Sequence, residues 1–145
     1  MNNELSITYR GIVYPWHCDH MGHMNVMWYI GKFDEATWAL LHHIGATAAY
    51  MKKEGKGMVA VEQRILYKKE LLADNLITVR SGIIEAGEKT IKFFHEMLNE
   101  ETQEVAAITF LTRAHIDSQL RKACIMPEEM RKRAESFVSE YQPKG

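Results

Sequence analysis

Hydrophobic spacing changes character three times along this chain. Residues 5–14, LSITYRGIVY, are rich in Ile, Val, Tyr and Thr and read as a strand. Pro15 ends it, because proline cannot donate to a sheet ladder. A polar loop follows, through Gly22. From Asn25 the period becomes helical: Val26, Ile30, Phe33, Thr37, Leu40, Leu41 and Ile44 recur on one face. Asn25 fits an N-cap and Gly45 a C-cap. At about 1.5 Å per residue, a helix over 26–44 is roughly 30 Å long. So long an apolar stripe needs a broad partner, and a sheet supplies one.

The rest of the chain meets that need. Residues 48–55 read as a short helical turn before Gly55 and Gly57. Four strand-like runs follow, at 58–69, 76–85, 90–98 and 104–116. Turn signals separate them: Ala73-Asp74-Asn75, Ala86-Gly87-Glu88 and Asn99-Glu100-Glu101. Connections this short predict that consecutive strands are antiparallel neighbours. A last helix is expected from Pro127, with Met130, Ala134, Phe137, Val138 and Tyr141 on one face. One long helix against one curved five-stranded antiparallel sheet is an α+β architecture. No repeat, low-complexity tract or linker divides the chain, and its 145 residues predict a single domain over 1–145.

Composition narrows the class of function. An apolar fraction of 46% and a charged fraction of 26% fit an ordinary globular domain. The net charge of −1 gives no basic surplus for nucleic acid. The first nine residues, MNNELSITY, lack a basic start and an apolar run, so no signal peptide is expected. No stretch approaches the roughly 20 apolar residues of a membrane span. Cys18 and Cys124 fit no zinc or redox spacing, and reduced thiols in a cytoplasm are the expectation. The nine Met residues read mainly as adaptable core filler.

The candidate chemistry lies at the front of the long helix, in YPWHCDHMGHMN (14–25). A carboxylate in a turn there sits near the helix's exposed N–H groups, which suit anionic oxygen. Asp19 alone is an ordinary turn residue bonding its own backbone. The company of Gly22, His23 and Asn25 raises it to the leading catalytic candidate. His17, His20 and His23 are spaced by threes around Cys18 and suggest a metal. No CxxC, HExxH or distant carboxylate motif supports one, so no metal site is expected. Cys18 is a poor nucleophile candidate, because a thiolate wants a basic partner and its neighbour Asp19 is an acid.

These residues resemble the 4-hydroxybenzoyl-CoA thioesterase-like family of the hot-dog fold. The likeness rests on Asp19, Gly22, His23, Met24, Asn25 and Tyr29, then on FDEATWALLHHIG (33–45), Glu62 to Tyr67 and Asp74. The MNV at 24–26 is reminiscent of the family's betainyl-CoA thioesterase branch. The resemblance implies a long central helix wrapped by the sheet, a homodimer or homotetramer with a shared site, and an acyl-CoA substrate. No separate cofactor is implied, coenzyme A being part of the substrate. It implies Asp19 as nucleophile on the thioester or as general base on water, both physically sensible. The Val26 backbone N–H, at the helix end, is the expected oxyanion donor.

The remaining candidates carry two readings each. Gly22 permits a tight turn or a close substrate approach. His23 orients Asp19 or water, touches the acyl group, or is structural. Asn25 is mainly a cap, with a catalytic role also open. Tyr29 is a pocket wall with a hydroxyl. Glu62 is a solvent-facing strand residue or a second carboxylate supplied across a dimer interface. Arg64, Lys68, Lys69, Lys89, Lys92 and Arg113 are candidates for the coenzyme A phosphates. Trp16, Trp28 and Trp38 are pocket walls, core, or an aromatic cage for a quaternary ammonium. Other readings are a hot-dog hydratase or dehydratase using an Asp19/His23 acid–base pair, or a non-catalytic acyl-CoA binder.

Overall fold

The computed structural model describes residues 5–145. Residues 1–4, part of the stretch read above for a leader, lie outside the described residues. Strand β1 (Ser6–Ile12) leads through a turn of 3-10 helix at Pro15–His17 to helix α1 (Val26–His43). Helix α2 (Ala48–Glu54) follows, then strands β2 (Lys56–Tyr67), β3 (Leu76–Ala86), β4 (Thr90–Asn99) and β5 (Val105–Asp117). A two-residue strand, β6 (Lys122–Ala123), and helix α3 (Glu128–Ser136) complete the order.

The sheet runs β1-β3-β4-β5-β2 and is antiparallel throughout, with β6 added on β5. This is the hot-dog arrangement that the resemblance implied, with β6 as an unforeseen sixth strand. One pairing differs from expectation. Strand β2 lies beside β5, not beside its successor β3. The segment 68–75 is no hairpin turn. Leu71 within it is fully buried, and its carbonyl accepts the Met24 N–H at 2.7 Å. That anchor carries the chain past the front of α1 to the far side of the sheet, where β3 starts.

Helix α1 begins and ends as its sequence demands. The Asn25 side chain accepts the Met27 N–H at 3.0 Å, and Gly45 takes a left-handed φ of 94° just beyond the last turn. Tyr29, Phe33, Ala36, Thr37, Leu40 and Leu41 are buried. The front half packs with Val13, Met24, Leu71, Val79 and Met97; the rear half packs with Met58, Ile83, Phe93, Leu111 and Met130. Helix α2 is capped by Thr47, which accepts the Tyr50 N–H, and stops at Gly55 with φ 63°.

Helix α3 is shorter than its periodicity suggests. It stops at Ser136, and Phe137, Val138 and Tyr141 lie beyond it. Backbone bonds from Ile83 to Phe137 and from Ser139 to Ile83 draw the chain onto β3. The Tyr141 hydroxyl then donates to Glu96 at 2.6 Å. These sheet contacts replace a further helical turn.

A neutral hydrogen-bonded chain crosses the middle of the core. Thr8 bonds Ser81 at 2.7 Å, Ser81 bonds His95 Nδ1, and His95 Nε2 meets Thr37 at 2.9 Å. Thr37 donates onward to the Phe33 carbonyl at 3.0 Å. This chain ties β1, β3, β4 and α1 together. A neutral imidazole, with one donor and one acceptor nitrogen, satisfies every link.

Candidate functional site

The loop ahead of α1 is a small closed turn. Cys18 and Met24 form an antiparallel bridge, the Asp19 N–H donates to the His23 carbonyl at 3.1 Å, and the Gly22 N–H donates to the Asp19 carbonyl at 3.0 Å. Gly22 has φ 88°, with open space around the position a Cβ would take. The glycine is there for its dihedral angle, not for room.

Within this turn both Asp19 oxygens are held. Oδ1 accepts the Met21 N–H and Oδ2 accepts the Asn25 side-chain amide, each at 2.9 Å. These two bonds, Asn25 first, hold the carboxyl below its usual range, helped by the charges of His23 and His20. Asp19 therefore reaches the helix through Asn25 and not by bonding the helix N–H groups directly. Asn25 does two jobs, because its oxygen caps the helix while its NH₂ holds Asp19. The Met27 N–H is taken by Asn25 Oδ1 and the Trp28 N–H by the Asn25 carbonyl. Among the described residues nothing bonds the Val26 N–H, at the first helical position.

Beside this turn opens a cavity of about 240 Å³, lined by His23, Val26, Tyr29, Tyr67, Lys68 and Glu70 among others. Asp19 does not line it. Tyr29 forms its floor, edge-on to Tyr67 at 5.2 Å between centroids. Burial pushes the Tyr29 phenol up to about 12, so it stays protonated. His23 Nε2 lies 3.7 Å from a Glu70 carboxylate oxygen. Its ring makes no hydrogen bond to Asp19, and the orienting role falls to Asn25.

The other candidates disperse. Glu62 is exposed on edge strand β2, next to a bulge at Val61, and is outside the cavity. Arg113 is buried with Nη2 3.2 Å from Asp34 and Nη1 on the Met58 carbonyl, so it is committed to the fold. Arg64 lies over the Phe110 ring, and Lys92 pairs with Glu85. Lys89 is exposed and does not line the cavity. Only Lys68 and Lys69 of that set reach the cavity. His20 is exposed. His17 is buried, accepts the Tyr14 N–H and packs on Trp28. Trp16 and Trp38 are exposed. Among the described residues no three His, Cys, Asp or Glu side chains are grouped to hold a metal. None of the helices described is long and apolar enough to cross a membrane.

Tyr67 and Glu70 complete the cavity and were not foreseen. Their signal was the abrupt switch from strand to YKKE at 67–70, just before the buried Leu71.

Known proteins share this fold. A Staphylococcus aureus protein solved in complex with CoA superposes with a TM-score of 0.88 over 97% of this chain and 90% of that one. Its sequence identity is 16%, so the likeness is one of fold. An Agrobacterium fabrum L-carnitine dehydrogenase/betainyl-CoA thioesterase is 31% identical over 75% of this chain, and its Rhizobium counterpart is 26% identical over 76%. The chain spans only 22% of the length of either relative. The model of the thioesterase-like superfamily matches residues 13–134, most of the sequence. The chain belongs to that superfamily.

Proposed function

We propose that this protein is an acyl-CoA thioesterase, which cleaves a small acyl-CoA to the free acid and CoA. The observation that carries the reading is the pair of 2.9 Å bonds presenting an ionised Asp19 at the head of α1. Val26, at the first helical position and with no partner for its N–H among the described residues, lines the neighbouring cavity. In this reading Asp19 attacks the thioester carbon, or draws a proton from the water that does. The Val26 N–H receives the developing oxyanion, a contribution of about 3 kcal/mol in comparable sites. CoA leaves as its thiolate, and where Asp19 has attacked directly, water then opens the mixed anhydride to free the acid and restore Asp19. Lys68 and Lys69 offer the cavity mouth positive charge for phosphate groups.

An Asp19/His23 acid–base pair, which a hydratase needs, is not assembled here, since His23 leans toward Glu70. A second copy of the chain is part of the proposal. Strand β2 is an edge strand with Val59, Val61 and Tyr67 exposed, and Met27, Ile30 and Trp38 are exposed on α1. Open edges and apolar patches of this kind are normally covered. A homodimer through β2 covers them and brings further groups, Glu62 among them, toward a partner's site.

The test is a thiol-release screen over short-chain, aromatic and quaternary-ammonium acyl-CoAs. The last class is included because the relatives are named for betainyl-CoA. Turnover of at least one substrate is expected, lost in Asp19→Ala. A single turnover in ¹⁸O-water bears on the two roles: direct attack gives a mixed anhydride, and water opening it at the Asp19 carbon leaves label in Asp19, whereas base catalysis labels only the released acid. Full activity in Asp19→Ala would remove that residue from the mechanism.

A further inference from the structure

On the other flank of α1, toward β1, lies a second groove of about 430 Å³. That volume suits a small-molecule site. Its chief lining is Tyr9, Tyr14, Trp16, His17, Trp28 and Lys32. Asp19, Asn25 and Val26 do not line it, so it is separate from the corner described above.

Lys32 is the unusual member. It is 4% exposed, and its one hydrogen bond among the described residues goes to the Tyr9 hydroxyl oxygen at 3.2 Å. Its ammonium also lies 5.3 Å from the Tyr9 ring centroid. No carboxylate among the described residues pairs with it. A buried ammonium without a counter-charge is costly, and among the described residues two of its three donors are unused. Tyr9 accepts from Lys32 and keeps its own O–H free to donate. Gly11 makes this placement possible: a Cβ there would lie 2.7 Å from the Tyr9 hydroxyl.

The remaining walls are flat and aromatic. Tyr14 and Trp16 stack at 4.4 Å with 6° between their planes, and Trp16 is 67% exposed. His17 packs on Trp28 at 4.3 Å. Burial, then the charge of Lys32, depress the His17 pKa, so this ring adds no second cation. The one acid in the lining, Glu35, is exposed at the rim. Negative charge thus belongs at the deep end and a planar apolar body against the rings.

We propose that this groove binds a small aromatic carboxylate, with the carboxylate on Lys32 Nζ and the Tyr9 O–H and the ring against Tyr14, Trp16 and Trp28. The assignment is independent of the thioesterase reading. Benzoate is the probe, titrated into the whole protein by calorimetry and by the fluorescence of the groove tryptophans. Saturable binding with a fluorescence change is expected. Lys32→Met keeps the stem and should weaken binding about tenfold or more, as loss of a charge-assisted bond does. Lys32→Arg should retain most of it. Tyr9→Phe, which removes one hydroxyl, should weaken it severalfold and serves if Lys32→Met does not fold. Benzyltrimethylammonium should bind more weakly than benzoate. Asp19→Asn and excess free CoA should leave benzoate binding unchanged. Absence of saturable binding overturns the proposal. So does wild-type affinity in Lys32→Met or Tyr9→Phe, a preference for the cation, or loss of binding with Asp19→Asn or CoA.

Discussion

Two hydrogen-bonded chains of similar length meet α1, one at its head and one at its middle, and they behave in opposite ways. One joins Met21, Asp19, Asn25 and the helix cap at the surface. The other joins Thr8, Ser81, His95, Thr37 and the Phe33 carbonyl inside the core. Both use short polar side chains and satisfy almost every donor. In the first, N–H donors converge on a carboxylate beside water, and its charge is kept. In the second, burial drives the His95 pKa down to about 3, with the Arg113 charge adding to the effect. That ring stays neutral. The comparison separates reactivity from order: a held charge with solvent access is available for chemistry, whereas a held neutral ring at 0% exposure fixes register.

The sharpest break of that contrast is Asp19→Asn. It keeps the shape of the turn and removes the charge. Thioester turnover should fall by ~10²–10⁴, the usual worth of a positioned base, with little change in the thermal midpoint. Steady-state rates beside a melting curve decide it; a large loss of stability with unchanged turnover would invert the two roles.

His95→Ala should do the reverse. It takes one hydrogen-bond partner from each of Ser81 and Thr37 and opens a void, costing about 3 kcal/mol in urea unfolding. Turnover per folded molecule should persist. A silent substitution would mean that the buried chain contributes little to order.

Acid sharpens the same point. The folded His95 pKa lies below its unfolded value, so between about pH 6.5 and 3 the unfolded chain binds a proton that the folded one refuses. Stability is whole above that window and falls as pH drops through it, at up to about 1.4 kcal/mol per pH unit. Asp19, also depressed, adds to the loss only once the pH reaches the carboxylate range. Unfolding midpoints from pH 8 to 4 should show this slope, and His95→Ala should flatten it.

Smaller effects test the surface chain. Asn25→Ala removes a cap, worth about 1 kcal/mol. It also removes the foremost cause of the low Asp19 pKa, so the acid limb of the pH–rate profile should move upward. Gly22→Ala forces a Cβ onto φ 88° and should cost about 1 kcal/mol, with no steric clash. An unchanged melting curve would mean that the turn relaxes.

Much of this was legible in the residues. The helix from Val26, its Asn25 cap, the Gly55 stop and the position of every main strand follow from local periodicity and capping chemistry. The loop residues named as candidates do converge in part, since Asp19, Gly22 and Asn25 share one turn. What failed was long-range. Nothing local says that β2 pairs with β5, because the deciding contact is a buried Leu71 held by Met24. Nothing local shows that Arg113 is used up by Asp34, 79 positions away. The early end of α3 depends on β3 as its partner.

The sequence by itself determined the elements and the head of α1, because caps, turns and Asx bonds act within a few residues. Only the tertiary structure decided which polar groups were left with charge and water and which were silenced. That outcome depends on burial, and burial is a property of the whole packed chain. It made His95 a neutral pin, left Lys32 a cation with no carboxylate partner among the described residues, and tied Asp19 to the helix through Asn25.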